Sequence, residues 1–166
     1  FVLSSETFTD KSEDVISDPE INAIYIATPP SSHYPYVMSC LKAGRNVYVE
    51  KPFVLNIQEG REIERELSSC SSSSSSRLVV AHYRRALPAF VHIKKIVQSG
   101  VLGRIRCGTI NLFQPNMEDT WRVDPSVSGG GLFHDLAPHQ IDLFLFILGA
   151  ERPLEKNRDR DWQEQE

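Results

Sequence analysis

The sequence predicts an α/β chain built on a parallel sheet. The first reason is a pair of short runs, Ala23-Ile24-Tyr25-Ile26-Ala27 and Asn46-Val47-Tyr48-Val49, nearly all apolar and partly β-branched, as in parallel strands buried on both faces. The second is the helix-patterned stretch between them. Strand, helix and strand follow one another in fewer than thirty residues, which makes a βαβ unit with a right-handed crossover. The third is the end of the second run, Glu50-Lys51-Pro52. A buried strand delivers a lysine to its carboxyl end, where open α/β sheets build their sites, and proline then stops the ladder.

Asp18-Pro19-Glu20-Ile21 turns into the first strand, and Thr28-Pro29-Pro30 breaks it. Ser31 or Ser32 is then placed to cap a helix running to about Lys42, with Pro35 in the first turn and Gly44 as its C′ residue. Val37, Met38 and Leu41 fall at helical spacing and would cover the sheet. After Pro52, Asn56 and Glu59 have capping-box spacing for a helix to about Leu67, with Ile63 and Leu67 as its apolar stripe. Residues 68–76, eight serines around Cys70, have nothing to bury and read as a flexible loop. Leu78-Val79-Val80-Ala81 is the third strand, ending in His82-Tyr83-Arg84-Arg85.

Pro88 opens a helix with Phe90, Ile93, Ile96 and Val97 on one face and Gly100 after it. Leu102-Gly103 turns into a longer strand over residues 104–113, and residues 115–128 form a polar loop holding Trp121-Arg122. Three glycines, 129–131, precede a segment that is largely helical once past Pro138. Residues 155–166 are nearly all charged or amide and have no stripe able to pack a core.

Composition narrows the function classes. A net charge of −4 over 166 residues gives no reason to expect nucleic acid or an anionic membrane surface. The longest apolar stretch, residues 141–150, contains Asp142 and is about half of a membrane span. No charged and then apolar leader opens the chain, and Cys40, Cys70 and Cys107 have no metal spacing. They read as reduced thiols of a cytoplasmic protein, with Cys40 and Cys107 packed.

Asp135, His139 and Asp142 would share one face if their segment is helical. From spacing alone, Asp135 either orients His139 or caps the helix, and His139 is either a base or a satisfied core histidine. A metal hydrolase using His134, Asp135, His139 and Asp142 is disfavoured, because no His-Glu-x-x-His helix accompanies them.

The order of motifs resembles the glucose–fructose oxidoreductase and inositol dehydrogenase family, Gfo/Idh/MocA. The carrying residues are Ile24 to Pro30 with His33; Ala43-Gly44-Arg45-Asn46-Val47 leading to Glu50-Lys51-Pro52; and Tyr83-Arg84-Arg85 with Pro88. Gly100-Val101-Leu102-Gly103, Trp121-Arg122, Gly129-Gly130-Gly131, and Asp135 with His139 and Asp142 complete the set, over residues 18–150.

The resemblance implies a partial Rossmann domain with a parallel sheet, then the start of an α+β domain on an open, mostly antiparallel sheet. Residues 1–83 would be the later half of the first domain, 84–150 the first part of the second, and 151–166 a disordered tail. It further implies hydride transfer between NAD or NADP and a hydroxyl of a sugar, inositol or related polyol. Lys51, Asp135 and His139 would be catalytic. Thr28, Pro29, Pro30, His33, Glu50, Lys51, Trp121 and Arg122 would meet the cofactor. Tyr83, Arg122, Asp135 and His139 would meet the substrate, and no metal is implied. Bottom-up, the Trp121-Arg122 pair is equally a packing anchor, and Tyr83 equally a half-buried strand residue.

The sequence also departs from the family pattern. No Gly-x-Gly-x-x-Gly loop is present, and the first glycine is Gly44, so that loop is expected to precede residue 1. Such a fragment would be marginally stable, aggregation-prone or a homo-oligomer through exposed sheet edges. An alternative function is that of a catalytically silent pseudo-dehydrogenase, or truncated paralogue, acting by protein association.

Overall fold

The computed structural model describes residues 8–69, 76–113 and 121–149. Residues 70–75, with Cys70 and most of the serine run, and the tail 151–166 lie outside the described residues, as do 114–120. The chain divides into two compact units: residues 1–82 with 111–139, and residues 83–110 with 140–166. Residues 111–139, inside the 84–150 segment, thus pack with the first unit.

The first unit is built on three parallel strands in the order β1 (Ala23–Ile26), β2 (Asn46–Val49) and β3 (Leu78–Val80). A short helix, α1 (Ser12–Ser17), precedes them; α2 (His33–Lys42) links β1 to β2, and α3 (Ile57–Ser69) links β2 to β3. Ile24 pairs with Val47, and Ile26 with Val49. That row of side chains packs with Val37, Cys40 and Leu41 of α2 and Ile63 of α3 into one buried cluster. Each fully buried aliphatic side chain there contributes about 1.5–3 kcal/mol.

Among the described residues, none covers the opposite face fully. Tyr25, Tyr48 and Val79 sit side by side across the three strands and are 57%, 41% and 51% exposed. Strands buried on both faces were expected. The apolar runs imply that burial, but α2 and α3 both lie on the Ile26–Val49 side.

Local sequence explains the ends of the elements. Gly44 at φ 73° closes α2: its N–H reaches the Leu41 carbonyl at 3.0 Å, and the Arg45 N–H reaches that of Cys40 at 2.9 Å. This is the Schellman pattern. At the other end neither serine caps; the Ser32 hydroxyl donates to the Pro29 carbonyl and a 3-10 turn, Pro30–Ser32, leads into α2. Two proline-fixed φ angles set that turn, so no serine oxygen is needed for it. The capping box of α3 forms with one change of partner: Asn56 Oδ1 accepts from Glu59 N, and Glu59 Oε2 accepts from Leu55 N, both at 3.0 Å. The helix extends through Ser68 and Ser69, which were expected in the loop, and the Ser69 hydroxyl donates to the Glu66 carbonyl.

The described part of the expected polar loop forms a 3-10 turn, Trp121–Val123, and α5 (Pro125–Ser128), capped where Asp124 accepts from Ser126 N. The last helix, α6 (Gly131–Leu148), starts seven residues before Pro138 and runs through it.

The second unit holds a 3-10 turn, Tyr83–Ala86, helix α4 (Pro88–Gln98) and the later part of α6. Pro88 opens α4, as its φ favours. Ile93, expected on the apolar face, is 41% exposed. Residues 104–113 form no strand: none of the described residues pairs with them, and without a ladder an extended run has no strand hydrogen bonds to make. Cys107, expected packed, lies on that segment and is exposed, whereas Cys40 is buried.

Candidate active site

The register fixes the first half of the site. Ile26 pairs with Val49, and Glu50 N donates to the Ile26 carbonyl at 2.9 Å, so Thr28 and Lys51 leave adjacent strand ends side by side. Thr28 and Pro29 are exposed, and Pro30 is buried at the start of the 3-10 turn. Lys51-Pro52 is a cis peptide bond.

The Lys51 ammonium donates to the Asp135 carboxylate at 2.5 Å and to the backbone carbonyl of the same residue at 2.8 Å. The two side chains retain only 14% and 18% of their exposure. Asp135 lies in the second turn of α6, so it does not cap the helix. His139 follows one turn later on the same face and is buried.

The triple glycine aims this helix. Gly129, Gly130 and Gly131 have φ of 89°, 151° and 67°, values that favour glycine. A Cβ on Gly129 would lie 2.6 Å from His134 Nε2, and that nitrogen is 3.2 Å from the Val54 carbonyl. The imidazole of His134 thus ties the start of α6 to the segment that follows Pro52. With the Lys51–Asp135 pair it anchors the turn of α6 that precedes Pro138, which cannot donate to the His134 carbonyl.

Arg122 is brought in as a second cation. Its Nε is 3.8 Å from Asp135 Oδ2, and its guanidinium lies 4.5 Å from the centre of the Trp121 ring. Trp121 is therefore the surface on which Arg122 rests, itself 41% exposed. Tyr83 belongs to the second unit, in a 3-10 turn rather than at a strand end.

His33 was expected at the cofactor. Its side chain is fully buried, with Nδ1 2.9 Å from the Pro52 carbonyl and Nε2 2.8 Å from the Thr28 carbonyl. Both ring nitrogens are spent on backbone, which leaves the ring no polar atom for a ligand. Glu50 likewise commits its N–H to the ladder, while its carboxylate accepts from the Tyr25 hydroxyl. That bond and the nearby negative charge push the Tyr25 phenol up to about 12.

Sequence reasoning missed the Tyr25–Glu50 contact and the second cation on Asp135. The first had a signal, since Glu50 is two residues after Tyr48 and so shares its face beside Tyr25. The second had none, because Arg122 and Asp135 meet only through the turn and α5 between them. Among the described residues, no group of three His, Cys, Asp or Glu side chains is placed to hold a metal ion.

Residues 2–76 match a family model described as "Oxidoreductase family, NAD-binding Rossmann fold", and residues 90–153 match the GFO/IDH/MocA C-terminal domain. Among curated proteins the chain is similar to Oxidoreductase P35 of Formosa agariphila, 40% identical over 94% of this chain and 50% of that protein. It is similar to the scyllo-inositol 2-dehydrogenase (NADP(+)) IolW of Bacillus subtilis, at 31% identity over 87% of this chain and 40% of the relative. Among solved structures it resembles a levoglucosan dehydrogenase in complex with NADH and levoglucosan, with a TM-score of 0.69 and 27% identity, over 85% of this chain and 38% of that one. The chain spans half or less of the length of these relatives.

Proposed function

Because the chain belongs to the GFO/IDH/MocA family of oxidoreductases, we propose that it carries the nicotinamide end of a dehydrogenase active site. The reaction moves a hydride between NAD or NADP and a hydroxyl of a sugar, inositol or related polyol. The observation that carries this reading is the part-buried Lys51 ammonium, held on Asp135 at the carboxyl end of β2. The polyol and sugar substrates in the names of relatives support the substrate class.

The residues present fit one end of the cofactor. Exposed Thr28 and Pro29 stand beside Lys51 on adjacent strand ends, and Trp121 offers a partly exposed ring, whereas the sequence has no Gly-x-Gly-x-x-Gly turn for the pyrophosphate. The bound nicotinamide supplies the hydride acceptor or donor. Lys51 holds the reacting hydroxyl oxygen and stabilises the charge that develops on it. Asp135 fixes the ammonium in place, and Arg122 keeps the local charge positive around a single carboxylate. His139 takes the hydroxyl proton, and its burial keeps bulk water from competing for it.

Lys51→Ala and His139→Ala are each expected to lower kcat by about 10²–10⁴-fold while circular dichroism stays unchanged. Wild-type turnover by either variant sinks the assignment. The exposed Tyr25–Tyr48–Val79 face keeps a second reading in view, a silent paralogue acting by association. A defined oligomer that does not enhance NADH fluorescence would replace the first reading with the second.

A further inference from the structure

The turn that follows β1 and the lysine that follows β2 are joined by one buried side chain. His33 has no exposed surface, and its two nitrogens face two carbonyl oxygens, Thr28 at 2.8 Å and Pro52 at 2.9 Å. A carbonyl oxygen only accepts, so the ring ties down whichever carbonyl faces its N–H and packs its other edge against the second. Thr28 lies two residues beyond the end of β1, and Pro52 immediately follows Lys51. The ring therefore spans the two strand ends just past the last ladder bonds, Glu50 N to Ile26 O and Ala81 N to Val49 O. Beyond those bonds the sheet no longer fixes the backbone, and the imidazole takes over.

We propose that His33 is a positioning residue for Lys51, holding the Pro52 carbonyl against the Thr28 turn so that the ammonium stays on Asp135. Its catalytic meaning rests on the dehydrogenase reading, but the tie itself does not. The position of the lysine is tested without turnover, by NMR of the isotope-labelled chain. In the wild type, a ring N–H signal of His33 protected from exchange is expected; a ring with no protected N–H overturns the tie, and this measurement needs no variant. In His33→Leu, exchange of the Lys51 ammonium protons is expected to rise up to about tenfold, the equivalent of one lost hydrogen bond, while the amide signals of Val47–Val49 keep their positions. His33→Gln, which retains an N–H donor and keeps the site polar, is expected to fall between the two. A Lys51 ammonium unchanged in either variant refutes the proposal.

In the active protein, His33→Leu is expected to lower kcat by about 10²-fold, as a small misplacement of a catalytic group does. His33→Gln should recover part of that loss, with KM little changed. A displaced ammonium with no turnover in the wild type would support the tie and count against the dehydrogenase reading. Normal turnover with an unmoved ammonium would do the reverse.

Discussion

The Lys51–Asp135 pair invites a double-mutant cycle with Lys51→Met and Asp135→Asn, chosen to keep shape while removing charge. Side-chain exposures of 14% and 18% place the pair between two limits. A surface pair contributes about 0–1 kcal/mol, and breaking a fully buried one costs about 3–5 kcal/mol. Asp135→Asn takes the charge out of the 2.5 Å side-chain contact alone; the contact from Lys51 to the backbone carbonyl at 2.8 Å remains. One charge-assisted bond in that environment gives a coupling of about 2 kcal/mol. Arg122, 3.8 Å from Asp135 and 43% exposed, adds about 0.5 kcal/mol or less, and about 1 M salt should remove its share first.

The single costs should be unequal. Lys51→Met leaves Asp135 with Arg122, whereas Asp135→Asn leaves two cations facing each other without their anion. Urea unfolding of the four proteins, followed by tryptophan fluorescence, reads these terms. The 2 kcal/mol corresponds to about 4–8 °C in Tm. A coupling below about 0.5 kcal/mol, as at an exposed pair, would refute the placement of Lys51 on Asp135.

Gly129→Ala forces a side chain into φ 89° and places its Cβ against the His134 ring, so a loss of about 1–2 kcal/mol from the backbone alone is expected. Adding His134→Ala should relieve the closest part of the clash and leave the backbone part with the tight approach to Leu55; no loss in the single variant, by thermal melting, would exclude this packing. Ultraviolet titration should show Tyr25 as a late phenol, near 12 rather than its ordinary 10.0, and Glu50→Gln should bring it back down. Because the folded value is the raised one, this bond supports the fold fully below pH 10.0 and is lost as pH rises through about 12; a chain with no late-titrating tyrosine lacks the bond. Asp142 accepts from Arg85 Nε at 2.9 Å and from Nη2 at 2.5 Å, so Arg85→Lys, which lacks the planar fork, should destabilise the second unit by about 1 kcal/mol or more. An unchanged melting curve for that variant would show that the fork contributes nothing.

The parallel sheet and its two covering helices were legible because burial, spacing and turn chemistry agreed. Val37 and Leu41 on α2, Ile63 on α3 and the Gly44 terminus all stand where periodicity and glycine geometry put them. What was illegible depends on partners outside the local window. Residues 104–113 have the β-branched pattern of a strand, but a strand exists only through a ladder, and none of the described residues offers one. Residues Ala23–Ile26 read as buried on both faces because their composition is apolar throughout, yet composition does not say on which side helices pack, and Tyr25 is left exposed.

The site divides along the same line. Lys51 and Asp135 were read together from motif order, and the structure joins them, because each is delivered by a rigid element whose local signals are strong: a strand stopped by proline and a helix aimed by three glycines. His33 was read as a ligand contact from the same motif, and the structure buries it. Motif position reports that a residue is required at a place; it does not separate touching a ligand from holding the backbone that touches it. Burial and hydrogen-bond partners make that separation. Asp135 and Asp142 show the same thing on one helix: they are seven residues apart and so lie on one face, but the first holds a lysine at a strand end and the second is forked by Arg85. Spacing made them equivalent. Their partners separate them: one is paired with a lysine at a strand end, the other with an arginine inside the second unit.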